Sequence, residues 1–212
     1  MRVFIKNQIS PIILFRGIFG GCVFLFLFCF LGCVSNFKKI DQRFYLLESR
    51  LNQKEEATEK SSFPQIVISD VRLPSYLDRP QIVSIFKKNQ LTFSESERWG
   101  DSLKKDIVRV LRKNLMVTFP HSKVEAVPHY QRGKNSLFLT IEISSFAFYA
   151  GLGKVKLEAD WSLVKDNQTL KTYTDSINFP LSKIRNTETV VSRMSDCLAE
   201  LSNRIATTIK DF

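Results

Sequence analysis

Residues 137–148 read Leu-Phe-Leu-Thr-Ile-Glu-Ile-Ser-Ser-Phe-Ala-Phe, and the fold follows from how this run is divided. Leu137, Leu139, Ile141 and Ile143 alternate with Phe138, Thr140, Glu142 and Ser144, the two-residue period of a strand with one buried face. Past Ser144-Ser145 the apolar series moves to Phe146 and Phe148. An unbroken strand would turn those rings over to the other face, so a β-bulge is predicted at Ser144-Ser145. Gly151-Leu152-Gly153 then makes a turn, and Val155, Leu157, Ala159, Trp161 and Leu163 alternate without a fault. Asp166-Asn167 turns the chain again, and Tyr173, Ile177 and Phe179 share one parity. The three runs form a meander with one buried face, as antiparallel sheets commonly have.

Working outward, two amphipathic helices are predicted. The first opens at a capping box, Ser94-x-x-Glu97, and carries Trp99, Leu103, Ile107, Leu111 and Leu115 at four-residue steps with Val110 beside them. The second starts near Thr187 and carries Val190, Met194, Leu198, Leu201, Ile205 and Ile209 on one face. Shorter strands are read at Phe44–Leu47, Pro64–Leu73, Gln81–Lys87, Gln90–Phe93 and Val124–Val127. Lys88-Asn89 joins two of them as a hairpin, and Pro128 marks the last as an edge strand. Residues 48–62, ESRLNQKEEATEKSS, mix both charge signs with almost no apolar content and read as a flexible loop. The sum is an α+β fold: a two-layer α/β sandwich, mainly antiparallel sheet packed against two amphipathic helices.

The N-terminus belongs to another kind of segment. Arg2, Lys6 and Arg16 precede an uncharged run from Gly17 to Gly32, the pattern of an export signal and too short for a membrane span of about 20 residues. The run ends Phe30-Leu31-Gly32-Cys33, which resembles the lipobox of bacterial lipoproteins, with Phe30 where Leu is usual. That resemblance implies cleavage before Cys33 and a diacylglycerol on its thiol. The chain then divides into a signal peptide over 1–32, a lipidated tether over 33–43 and a single domain over 44–212.

Cysteine use and charge agree with this division. Of Cys22, Cys29, Cys33 and Cys197, only Cys197 falls in the domain, so no disulfide framework or CxxC metal site exists there. It lies on an apolar helix face and reads as a core residue. The formal net charge is +10, and loss of the signal removes three positive charges and no negative one. An exported basic protein has little occasion to meet nucleic acid. Attraction to anionic lipid head groups and simple solubility both remain as explanations.

Catalytic templates fail. His121 and His129 lie in loop context, with no HExxH, nucleophile elbow or Cys–His pairing. Gly151-Leu152-Gly153-Lys154 joins two strands and lacks the Ser/Thr of a phosphate loop. Asp101 and Asp106 stand among lysines, where surface pairing is the default. No catalytic residue, metal ligand or dissociable cofactor is expected.

The unusual piece is Arg72–Val83, RLPSYLDRPQIV. Its two prolines keep their predecessors extended, and Asp78 can close a turn onto the backbone. One reading is a rigid connection between strands; the other is a shaped edge that offers Tyr76 and Leu77, with Asp78 and Arg79, to a partner. LPSYLDRPQIV, the block Arg98-Trp99-Gly100-Asp101-Ser102-Leu103 and the early Phe-Tyr-Leu-Leu together resemble the ABC-type transport auxiliary lipoprotein family, the PqiC-like lipoproteins. Gly100, Asp101 and Ser102 replace the family's usual Ala, Glu and Pro.

The resemblance implies a non-enzymatic envelope component that assists an MCE-type system moving phospholipid between membranes. By the same resemblance the partners are an MCE-domain tunnel protein with its ABC and permease subunits, outer-membrane lipid, and further copies of the chain in a homo-oligomeric ring. Val34 after Cys33 implies sorting to the outer membrane with the domain facing the periplasm. The lipid on Cys33, diacylglycerol plus an N-acyl chain, is the sole attached group implied. A stand-alone lipoprotein supporting outer-membrane integrity is the alternative.

Overall fold

A computed structural model describes residues 41–51, 63–87, 90–129, 133, 135–181 and 186–212. Cys33 and the signal peptide, residues 52–62 of the charged loop, and the Lys88-Asn89 turn lie outside the described residues.

The organising element is the long strand β6 (Ser136–Tyr149). Along one edge it pairs antiparallel with β7 (Lys154–Lys165), which pairs in turn with β8 (Gln168–Pro180). Register shifts between Ile143 and Ser145, so the bulge stands where the phase of the apolar residues breaks. Phe146 and Phe148 are thereby returned to the face of Leu139, Ile141 and Ile143, and all five are buried. Between β7 and β8, Asp166 and Asn167 both take positive φ (50° and 62°), the primed hairpin turn that suits the right-handed twist of the strands.

The other edge of β6 is shared by two strands in tandem. β2 (Gln65–Arg72) runs parallel to residues 136–142, and β3 (Gln81–Lys87) runs parallel to Phe148 and Tyr149. Outside β2 lies β5 (Lys123–Ala126), an edge strand as its following proline requires. Outside β3 lie β4 (Gln90–Trp99) and then β1 (Arg43–Tyr45). The sheet is therefore mixed. Its longest ladders are antiparallel, and the parallel neighbours of β6 are a refinement that side-chain alternation does not reveal.

Helix α1 (Leu103–Thr118) packs over β2 and β5, and α2 (Thr187–Lys210) packs over β6, β7 and β8. Their stripes (Ile107, Leu111 and Leu115; Leu198, Leu201 and Ile205) are fully buried against the inward side chains of the sheet. Burial of each such aliphatic chain contributes about 1.5–3 kcal/mol. Asn186 caps α2 by accepting the Thr189 N–H at 2.8 Å.

The first helix departs from expectation. The structure starts it at Leu103, with Trp99 as the last residue of β4. Ser94 Oγ does accept the Glu97 N–H at 3.0 Å, but inside a strand. Gln81 faces Arg98 and Val83 faces Phe93, so residues 94–97 of β4 form a bulge opposite Ile82, and the serine closes that bulge. A capping box specifies a local bond; pairing with β1 and β3 keeps the chain on either side extended.

Candidate docking site

Residues 73–80 leave the sheet where β2 ends and re-enter it as β3, both alongside β6. On β6 the corresponding gap is only 143–147, so the segment must loop out over the bulge. Pro74 O accepts from Leu77 N–H at 2.9 Å and Leu77 O accepts from Arg79 N–H at 2.9 Å, two tight turns in succession. The bulge supplies the fastening. Tyr76 OH donates to Ser144 O at 3.1 Å, using a carbonyl at the residue that the β6–β7 register skips. Burial pushes the Tyr76 phenol above its ordinary pKa.

The four candidate contact residues part at this point. Leu77 is 1% exposed and belongs to the core, so it is a buried wedge and not a surface residue: the Pro74–Leu77 turn points it inward. Tyr76 is half-buried, Asp78 is exposed, and Arg79 lays its guanidinium over the Phe93 ring, 4.2 Å from the centroid. Phe93 as the platform for Arg79 could not be read from the sequence, because the stacking depends on the β3–β4 register.

The remaining motif segments converge on the same place. Trp99 N–H donates to Pro80 O at 2.8 Å, and Gly100 N–H to Tyr45 O at 2.8 Å, while β1 pairs with residues 97–99. Glu97, 6% exposed, forms an ion pair with Arg43. Its hydrogen bond and charge raise the Tyr45 pKa. Among the described residues, Arg79 Nε, Arg98 Nε and Glu97 Oε2 are buried atoms without a hydrogen-bond partner. The three segments, β1, the β4 bulge and the 73–80 loop, are thus hydrogen-bonded into one corner.

Asp106 is a second correction. It is 3% exposed, accepts the Leu47 N–H at Oδ2 (2.5 Å) and pairs with Arg109. Arg109 in turn donates to Leu47 O at 2.5 Å. The pair clamps both backbone groups of Leu47 onto α1, a task visible only once the chain after β1 is seen to cross the helix. Glu48 N–H donates to Ser195 Oγ at 3.0 Å and Ser49 Oγ to Asn114 Oδ1 at 2.6 Å, which extends the attachment to both helices. His121 and His129 are exposed, and Cys197 is buried. Among the described residues no cluster of three His, Cys, Asp or Glu is placed to hold a metal, and no helix is long and apolar enough to cross a membrane.

A family model described as ABC-type transport auxiliary lipoprotein component matches residues 45–206. No curated protein matches the chain. Among solved structures, one of an uncharacterized protein superposes with a TM-score of 0.66 at 17% identity, covering 80% of this chain and 99% of the other. A Xanthomonas campestris protein of the DUF330 family gives 0.67 at 14% identity, covering 80% and 95%. At these identities the two structures support the fold.

Proposed function

Because the chain belongs to the ABC-type transport auxiliary lipoprotein family, we propose that it is a lipid-anchored docking subunit of an MCE-type system carrying phospholipid between membranes. The anchor is the acylated Cys33, held in the outer membrane with the domain in the periplasm. Each buried CH₂ of an acyl chain contributes about 0.8 kcal/mol, and two or more chains make attachment stable. The subunit works by position and shape, without a catalytic step. Its partners are the MCE tunnel protein and, through it, the ABC and permease subunits.

The observation that carries this reading is the convergence of the 73–80 loop, the β4 bulge and β1 on one hydrogen-bonded corner. A surface fixed before binding loses little ordering entropy when a partner docks. Asp78 is exposed on that corner and Arg79 is immobilised on Phe93, which suits them to charged recognition. The test is copurification of the tagged protein with the MCE subunit and the ATPase. Asp78→Lys should leave folding unchanged and reduce capture at least about tenfold, the scale of one lost interfacial charge pair. Isolation of a clean, partner-free protein would favour the stand-alone envelope lipoprotein instead. Cys33→Ser should abolish acyl labelling; unchanged labelling would show the anchor to be misplaced.

A further inference from the structure

The docking corner holds two cations that the rest of the domain leaves without an acceptor. Among the described residues, every arginine other than Arg79 and Arg98 donates its side chain to a carboxylate or, for Arg112, to Val124 O at 3.0 Å. Arg79 has only the face of Phe93, 4.2 Å from its guanidinium. The Arg98 side chain has no hydrogen-bond or ion-pair partner among the described residues, and in both arginines Nε is buried and unpartnered. A guanidinium keeps its charge at any physiological pH, and partial burial without an acceptor leaves that charge poorly solvated. An added anion would stabilise these two arginines more than any of the others.

The β3–β4 ladder brings them to one face. Arg98 is paired with Gln81 and Phe93 with Val83. Gln81 and Val83 are two residues apart on β3, and the extra residues of the bulge belong to β4, so the two pairs share a face and stand about 7 Å apart. Arg79, lying on Phe93, is therefore one step along the ladder from Arg98. Guanidiniums anchored at that spacing can share the two oxygens of one carboxylate. On the other side of Arg98, Phe44 of β1 is in register with it and is 63% exposed, which sets an apolar ring beside the cations.

Nearby acids decide what kind of anion fits. Asp78 and Glu95 are exposed on the same corner and, among the described residues, neither pairs with Arg79 or Arg98. Glu97 is taken by Arg43. An anionic bilayer presents an extended sheet of charge, which the two exposed carboxylates would repel. A single carboxylate on a protein can enter beside them. Planar guanidiniums match a carboxylate through parallel hydrogen bonds, and Phe44 suits an apolar neighbour of the acid. We infer that Arg79 and Arg98 together receive an acidic side chain of the docking partner, one flanked by an apolar residue. This names the chemistry of the partner's surface and depends on the docking reading above for which protein carries it.

The test uses the full-length lipoprotein in neutral detergent micelles, with isotope-labelled arginine followed by NMR. The probe is the blocked peptide acetyl-Leu-Glu-Phe-amide. At millimolar concentration it should move the Nε–H resonances of Arg79 and Arg98, and leave those of the ion-paired Arg72 and Arg204 in place. Acetyl-Leu-Gln-Phe-amide, which lacks the charge, should move neither. Arg98→Gln should lower capture of the MCE subunit at least about tenfold at unchanged Tm. Arg98→Lys should restore only part of it, because an ammonium lacks the planar fork. Resonances that stay silent, or that answer as strongly to the glutamine peptide, to inorganic phosphate or to phosphatidylglycerol in the micelles, would overturn the inference. Full capture by Arg98→Gln would overturn it as well and leave the docking reading standing. Resonances that answer to the glutamate peptide alone, in a protein that captures neither the MCE subunit nor the ATPase, would refute the docking reading and support the acid-binding pair.

Discussion

Replacing Asp106 by Ala tests the clamp that ties the N-terminal segment to α1. Asp106 and Leu47 are 3% and 0% exposed, so water does not replace the lost carboxylate. The Leu47 N–H gives up a bond to a charged acceptor (about 1.5–3 kcal/mol) and is left as an orphaned buried donor (about 1–3 kcal/mol). These terms overlap, and the Arg109 side chain is 50% exposed, so its lost pairing adds little after solvent screening. The expected loss is about 3 kcal/mol. With a urea slope of about 2 kcal/mol per molar, the unfolding midpoint should fall by about 1.5 M. Asp106→Asn keeps an oxygen for the Leu47 N–H and loses only the ion pair, so it should cost about 1 kcal/mol. Hydrogen exchange at the Leu47 amide should accelerate in the alanine variant and far less in the asparagine variant. Two results would refute the reasoning: an alanine variant within about 0.5 kcal/mol of wild type, or an asparagine variant as unstable as the alanine one.

Two further effects follow from a buried thiol and a partly buried carboxylate. Burial, helped by the Asp196 charge, pushes the Cys197 thiol up from 9.0 to about 12; the native state therefore holds its proton after the unfolded state has lost it. The stability this thiol contributes is fully present below pH 9 and declines as pH rises from about 9 through about 12. Cys197→Ala should flatten that decline in a pH series of urea melts, and the native thiol should resist alkylation at pH 8 until the protein unfolds. Asp175 accepts from Trp161 Nε1 at 2.7 Å and from Arg204 at 2.6 Å. Asp175→Ala should cost about 2 kcal/mol, or about 6 °C in Tm by calorimetry, and change Trp161 emission. Asp175→Asn should recover more than half of the loss.

Much of this fold was legible because it is written in short-range patterns. The slip at Ser144-Ser145 marked the bulge, and Asp166-Asn167 marked a turn that needs two positive φ values. The stripes of both helices were visible as well. Ser94-x-x-Glu97 shows where such reading stops. Its local bond forms, yet pairing with β1 and β3 holds the flanking residues in a strand. Asp106 shows the same limit for electrostatics. Among lysines on a helix it reads as a surface acid, and only the passage of Leu47 across α1 makes it a buried clamp. Leu77 was misread because the prolines beside it announce rigidity without saying which side chain the turn points inward.

The sequence by itself determined which side chains share a face, where the strand phase breaks, and which segments resist helix. Those properties depend on backbone geometry over a few residues. Only the tertiary structure decided that β2 and β3 lie in tandem on one edge of β6, and that Tyr76 fastens the intervening loop to the bulge. It also decided that the β6–β7 turn is fastened to β3, where Ala150 N–H donates to Ile85 O. Neighbour choice is settled by the packing of the whole core, where many weak terms are summed over residues far apart in the chain.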